Sequence, residues 1–235
     1  MKIVGPLVKG TFVERPNRFI THINLEGTIV VSHLPDPGRL KELLVPGAIV
    51  WLRPTPKGSD RKTKFSTIMV EHKGVLISLD STLPNRFFKE AFNTIPIFKD
   101  WEINRSEIRI KEHRIDFLLN DPEGIKVLTE VKSVTFVENG IAKFPDAVTE
   151  RGRQHADLLR SLAKEGKRTI ILFICQRPDA IKFQPMWDRD PALSESLILA
   201  QKAGVDIRCI TTDLDLKEMT FKKEIPVNLT PPNES

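Results

Sequence analysis

Asp116 sits in the apolar run Arg114-Ile-Asp-Phe-Leu-Leu119, and a polar turn at Asn120–Gly124 separates it from Ile125-Lys-Val-Leu-Thr-Glu130-Val-Lys132. Two such runs joined by a short polar turn form a hairpin. Side chains two apart on a strand share a face, so Glu130 and Lys132 project together while Val131 projects the other way. A carboxylate at position 116, flanked by apolar residues, is costly to bury without a partner. A shared cation would be that partner. Hard divalent ions such as Mg²⁺ or Mn²⁺ take one or two protein carboxylates and complete their shell with water and phosphate. Asp116 and Glu130 meet that minimum, and Lys132 can hold or help deprotonate an attacking water. The chemistry indicated is metal-assisted phosphodiester hydrolysis. The same three residues also fit a structural ion pair in which Lys132 neutralises one of the acids. The order of helix, hairpin and second helix around them favours the catalytic arrangement.

Further groups can be placed around this trio. Glu90, in Phe87-Phe-Lys-Glu90-Ala-Phe92, reaches the cation if its helix packs the Phe face under the sheet; a solvated helix glutamate is the competing expectation. Phe144-Pro-Asp-Ala-Val-Thr-Glu-Arg-Gly-Arg-Gln-His155 reads as a helix start with Pro145 in the first turn. Arg151 and His155 are four apart and share a face that can meet phosphate. No second His or Cys stands at ligand spacing, so His155 is not read as a metal ligand. Gly152 inside this helix suggests a close approach by a nucleic-acid strand or by ordinary helix-to-sheet packing. Arg18, Arg39, Arg61, Lys62 and Lys64 are the phosphate-contact candidates nearer the N-terminus.

The elements that carry these residues fall into two textures. Leu7–Asp80 holds six short strand expectations, at Leu7–Glu14, Arg18–Leu25, Thr28–Leu34, Ala48–Arg53, Phe65–His72 and Val75–Leu79. A short helix is expected at Gly38–Leu44, and a small barrel with one inserted helix matches an OB-fold. After Pro84 the pattern becomes a helix at Arg86–Thr94 capped by Asn85, then strands at Ile108–Ile110, Arg114–Leu119 and Lys126–Val134. A helix at about Asp146–Lys164, a strand at Thr169–Cys175, a helix at Leu193–Ala203 and a strand at Val205–Ile210 follow. This predicts an α/β unit with a mixed sheet, and divides the chain into residues 1–84 and 85–235.

Charge supports the same division. The formal net charge is +5. Residues 1–84 hold 12 Lys and Arg against 7 Asp and Glu, while residues 85–235 hold 24 of each. A basic front module attracts phosphate backbones, which makes DNA the expected partner. Cys175 and Cys209 lie in apolar runs and read as buried free thiols, which excludes a disulfide scaffold. With no secretory signal and no apolar run of membrane-spanning length, a cytoplasmic protein without membrane contact is expected. No small-molecule cofactor is expected, the oligomeric state stays open with a homodimer among the options, and Thr230–Ser235 reads as a disordered tail.

Six ordered motifs then identify a resemblance: Arg15-Pro-Asn-Arg-Phe19, His33-Leu-Pro-Asp-Pro-Gly-Arg39, Arg61-Lys-Thr-Lys64, Arg114-Ile-Asp-Phe117, Glu130-Val-Lys-Ser133, and Phe144-Pro-Asp-Ala147 with Arg151-Gly152. Together, from about Leu7 to Val227, they resemble the sugar fermentation stimulation protein A family. The resemblance implies an N-terminal OB-fold and a C-terminal PD-(D/E)xK nuclease-like unit, in proteins described as nonspecific DNA binders linked to regulation of sugar use. The nuclease pattern maps onto Asp116, Glu130 and Lys132, with Glu90 as a further carboxylate. Ile115 stands where the signature has its proline, a change without consequence because proline supplies no ligand. Both an active nuclease and a non-catalytic DNA-binding regulator are compatible with this resemblance.

Overall fold

Six short strands form the first sheet, and apolar side chains such as Phe12, Ile23, Val50, Leu52, Val70 and Ile77 point from them into a closed barrel. In the computed structural model, which describes residues 1–56 and 58–232, these strands are β1 (Val8–Asn17), β2 (Ile20–Leu25), β3 (Thr28–His33), β4 (Ile49–Pro54), β5 (Phe65–His72) and β6 (Val75–Ser78). Antiparallel pairs join β1 to β2, β2 to β3, β4 to β5 and β1 to β4. A short parallel contact, Ser32 to Phe65 and His33 to Ser66, closes the ring between β3 and β5. Five strands in this order make the OB-type barrel, and β6 is a hairpin extension of β5.

The helix expected at Gly38–Leu44 does not form. Leu40 has φ +51°, and the segment makes only a turn, with the Leu44 N–H donating to the Leu40 carbonyl at 2.8 Å. What looked like helical spacing instead drops Leu40 and Leu43 into the barrel, where both are fully buried with Phe12, Ile23 and Leu52. Filling the barrel with leucines won over helix propensity.

The second sheet has six strands in the order β15-β14-β12-β9-β8-β7. They are β7 (Glu102–Ile110), β8 (His113–Asn120), β9 (Lys126–Val134), β12 (Arg168–Cys175), β14 (Asp206–Leu214) and β15 (Met219–Ile225). β9, β12 and β14 run parallel and the outer pairs antiparallel, giving the expected mixed sheet. A small three-stranded sheet, β10 (Val137–Glu138), β11 (Ile141–Phe144) and β13 (Lys182–Pro185), lies beside it.

The central strand β12 is apolar on both sides, as a sheet covered on two faces requires. Ile170, Leu172 and Ile174 face α1 (Leu83–Ala91), whereas Ile171, Phe173 and Cys175 face α2 (Glu150–Lys164) and α3 (Pro191–Lys202). α1 buries Leu83, Phe87, Phe88 and Ala91, spaced for one helical stripe. Phe87 and Phe88 are fully enclosed, each contributing about 1.5–3 kcal/mol by burial. Phe88 meets Phe117 of β8 with ring centroids 4.9 Å apart, which fixes α1 beneath the hairpin.

All three helix starts differ from expectation, α3 opening at Pro191 rather than Leu193 with Asp190 as its N-cap. α1 begins three residues before Arg86, with Thr82 as its N-cap, so Asn85 is inside the helix and does not cap it. α2 begins at Glu150 rather than Asp146, because Thr149 is the N-cap and its Oγ1 accepts the Gly152 N–H at 3.1 Å. Pro145 precedes the helix and follows a cis peptide bond. Of the tail expected to be disordered, Asn233–Ser235 lies outside the described residues. No helix among the described residues is long and apolar enough to cross a membrane.

Candidate metal centre and nucleic-acid face

The hairpin of β8 and β9 is forked, and the trio sits in the fork. Pairing between these strands runs from Asn120 and Lys126 up to Phe117 and Thr129, then stops. Above that point β8 pairs only with β7, and β9 continues beside β12 with Glu130 opposite Ile171 and Lys132 opposite Phe173. The parting leaves a β9 backbone donor without its ladder partner. Asp116 Oδ2 takes it, accepting the Val131 N–H at 2.8 Å, while Oδ1 accepts from Asn85 Nδ2 of α1 at 2.9 Å.

Glu130 is 3% exposed and is held from two sides. Lys132 Nζ donates to its Oε1 at 2.6 Å, and His155 of α2 makes a short hydrogen bond to the same oxygen through Nδ1. With Nδ1 donating to Glu130, the 3.5 Å approach of Lys132 Nζ to that nitrogen is a contact between two donors. The second oxygen, Glu130 Oε2, is buried and has no hydrogen-bond partner. A buried carboxylate oxygen without a donor is a costly feature in a finished core.

The two acids respond oppositely to this setting. Burial, reinforced by the charge of Glu130, raises the Asp116 carboxyl to about 6, despite the Val131 N–H, Lys132 and Asn85. For Glu130, burial also pushes upward, but the Lys132 ammonium and the His155 hydrogen bond hold it below its ordinary value. An excess of negative charge remains between the two, which is the electrostatic condition for cation binding. Among the described residues no group of three or more His, Cys, Asp and Glu side chains is arranged to hold a metal ion. Asp116 and Glu130 therefore fit a two-carboxylate site that relies on water and phosphate for its remaining ligands.

Several sequence expectations are redistributed. Glu90 is on the exposed side of α1 and is not brought to the acids. It lies five positions after Asn85, which on a helix turns the side chain well away from the face that meets Asp116. Asn85 is the α1 residue that the sequence reading missed; its capping type disguised it. His155 is 2% exposed and supports Glu130, so it is removed from the set of direct phosphate contacts. Arg151 stays exposed at the start of α2. Gly152 is explained by its own cap, since a Cβ there would lie 2.7 Å from Thr149 Cγ2.

Arg18, Arg39, Arg61, Lys62 and Lys64 are all exposed on barrel loops. Arg18 is in the β1–β2 turn and Arg61, Lys62 and Lys64 lead into β5; these are loop positions by which OB-folds hold oligonucleotides. Arg61 also donates to Ser66 Oγ at 3.2 Å. Arg18 lines a cleft of about 340 Å³ whose opposite wall includes Ser133, the residue after Lys132. Arg18 thus shares a cleft with the end of β9 that carries Glu130 and Lys132.

Comparison with known proteins agrees with this architecture. The model of the SfsA N-terminal OB domain matches residues 13–79, and that of the sugar fermentation stimulation protein RE domain matches residues 82–218. A sugar fermentation stimulation protein homolog of Moorella thermoacetica is 43% identical over 231 residues, covering 97% of this chain and 100% of the relative. One of Desulforamulus reducens is 40% identical over 232 residues, covering 97% and 96%. The structure of Pyrococcus furiosus SfsA in complex with Ca²⁺ superposes with a TM-score of 0.86 at 31% identity, covering 97% of this chain and 99% of that one. With both halves of the chain matched in order, the protein belongs to the sugar fermentation stimulation protein family.

Proposed function

We infer that this chain binds DNA and that the fork of Asp116 and Glu130 is a divalent-cation site for phosphodiester hydrolysis, of the PD-(D/E)xK kind. The observation that carries the reading is the buried, unpartnered Glu130 Oε2 beside an Asp116 whose proton affinity is raised. The Ca²⁺ complex of the Pyrococcus furiosus relative supports a cation of this class, and the basic excess of residues 1–84 supports the substrate. Asp116 and Glu130 would hold Mg²⁺ or Mn²⁺, which when bound supplies Lewis-acid polarisation of a phosphate oxygen.

The protein's own residues have separate duties. Asn85 and the Val131 N–H keep the Asp116 carboxylate aimed into the fork. His155 and Lys132 share Glu130 Oε1 and leave Oε2 free. Lys132, 16% exposed at its side chain, is the group available to hold the attacking water, and its positive charge helps deprotonate that water by stabilising hydroxide. Arg18, Arg39, Arg61, Lys62, Lys64 and Arg151 supply phosphate contacts that position DNA without reading its sequence.

One observation favours a non-catalytic regulator: Lys132 Nζ lies 2.6 Å from Glu130, as a structural ion pair would. Incubating plasmid, linear and single-stranded DNA with Mg²⁺ or Mn²⁺ separates the two. Cutting that vanishes in both Asp116→Ala and Lys132→Ala supports the enzyme. Retained binding with no cutting of any substrate leaves the regulator.

A further inference from the structure

The cleft between the barrel and the small sheet carries groups that the hydrolytic site does not use. Asp36, in the β3–β4 loop, is 7% exposed yet lines this cleft, and Asp146, just before α2, faces it. Asp36 Oδ1 accepts the Gly38 N–H and Asp146 Oδ2 accepts the Arg39 N–H, each at 2.8 Å. Among the described residues, neither second oxygen has a hydrogen-bond partner. Gly38 allows the two acids to close in, since a Cβ would lie 2.5 Å from Asp146 Oδ2 and 2.9 Å from Asp36 Oδ1. Burial raises Asp36 to about 6, with the charge of Asp146 adding to the effect. Phe144 and Pro145 give the cleft an apolar wall. Its outer end opens into a groove of about 600 Å³ bordered by Arg15, Arg18, Arg39 and Lys41.

Cations at the mouth and acceptors on the floor match a molecule with phosphate at one end and N–H donors at the other. A nucleotide has that polarity. The cleft volume of about 340 Å³ is in the range of small-ligand sites. A base within a duplex keeps its pairing edge inside the stack and cannot present it to such a cavity; only an unpaired or extruded base can.

We propose that this cleft binds one unpaired nucleotide of a DNA strand, its phosphate against Arg18 and Arg39 and the pairing edge of its base against Asp36 and Asp146. The proposal rests on the DNA-binding reading above and names the strand form that the adjacent fork receives. It also implies base selection. Cytosine offers an amino group to a carboxylate where thymine, of similar size, offers a carbonyl oxygen.

The test measures equilibrium binding of labelled oligo-dC, oligo-dT and a blunt duplex of equal length, in EDTA so that no strand is cut. Oligo-dC is expected to bind about tenfold more tightly than oligo-dT, and the duplex more weakly than either. Asp36→Asn should reverse the preference toward oligo-dT, because an amide can turn a donor to the thymine oxygen. Ala147→Phe, at the mouth, should reduce both single strands to the duplex level. Circular dichroism checks that each variant is folded. Equal binding of duplex and single strands, or a base preference indifferent to both variants, overturns the proposal. If the duplex alone binds and depends on Arg61 and Lys62, the pocket fails while DNA binding stands. If nothing binds, both readings fall.

Discussion

The carboxylate of Asp116 accepts the Val131 N–H at 2.8 Å, taking the place of the ladder bond that β8 no longer supplies. One side chain thereby ends the pairing of two strands and opens the space between them. Val131 itself is buried against the α1 side, so the parted strand stays anchored while Glu130 and Lys132 project on the opposite face.

His155 should matter to stability before it matters to DNA. It donates to a nearly fully buried Glu130, and removing one partner of a buried pair strands the other. His155→Ala is expected to cost about 3 kcal/mol in urea unfolding without metal. His155→Gln, which keeps a donor, should recover part of it. An alanine variant as stable as the parent would show that Lys132 alone satisfies Glu130.

Gly152 gives a prediction about a cap. Gly152→Ala gains about 1 kcal/mol in helix propensity but strikes the Thr149 methyl. The two effects should nearly cancel in a thermal melt. Combining it with Thr149→Ser removes the methyl and keeps the hydroxyl acceptor, so the double variant should melt above Gly152→Ala. A double variant no better than the single one would place the obstruction elsewhere.

Asp36 predicts a pH dependence whose sign differs from that of most salt-bridged acids. Its folded value is raised to about 6 from the ordinary 3.8, so between those values the folded state binds more protons than the unfolded state. Stability contributed by this group is then greatest below about pH 4 and falls as pH rises to about 6. Asp36→Asn keeps an acceptor for Gly38 and should raise the melting temperature at neutral pH while flattening the slope in that window. The stabilisation is at most about 3 kcal/mol. An unchanged slope would remove Asp36 as its source.

Loss of Arg61 and Lys62 together should weaken DNA binding regardless of sequence and reduce the salt slope by about two phosphate contacts. Titration across salt concentrations measures both. Unchanged affinity would move the DNA contact off this loop.

The cysteines should be silent in the native protein. Burial pushes the Cys175 thiol up to about 12 and raises Cys209 well above its usual value. Neither should react with a maleimide until the chain unfolds. Labelling of the folded protein would place one of them at the surface.

Much of this was readable because core strands announce themselves. Phe65–His72 and Lys126–Val134 match their expected bounds, since β-forming residues there are delimited by the turns at Lys73-Gly74 and Asn120–Gly124. The strand β15 and the first two thirds of β7 were missed because they lie at sheet edges and carry charge, as Met219-Thr-Phe-Lys-Lys-Glu-Ile225 does. In the fork, Glu130 and Lys132 were legible from two-residue periodicity and Asp116 from its apolar flanks. Asn85 was not, because an asparagine before an apolar run signals a cap, and only the packing of Phe88 on Phe117 turns it toward Asp116.

Ile68 and Met69 of β5 belong to the same apolar cluster as Phe87, Phe88 and Leu172. The barrel therefore shares a core with the second sheet and does not hang from it by a linker. Calorimetry should record one melting transition for the whole chain, and a fragment ending at Pro84 should carry a sticky face into solution. Two family models divide the chain near this point, yet heat is expected to take both parts together.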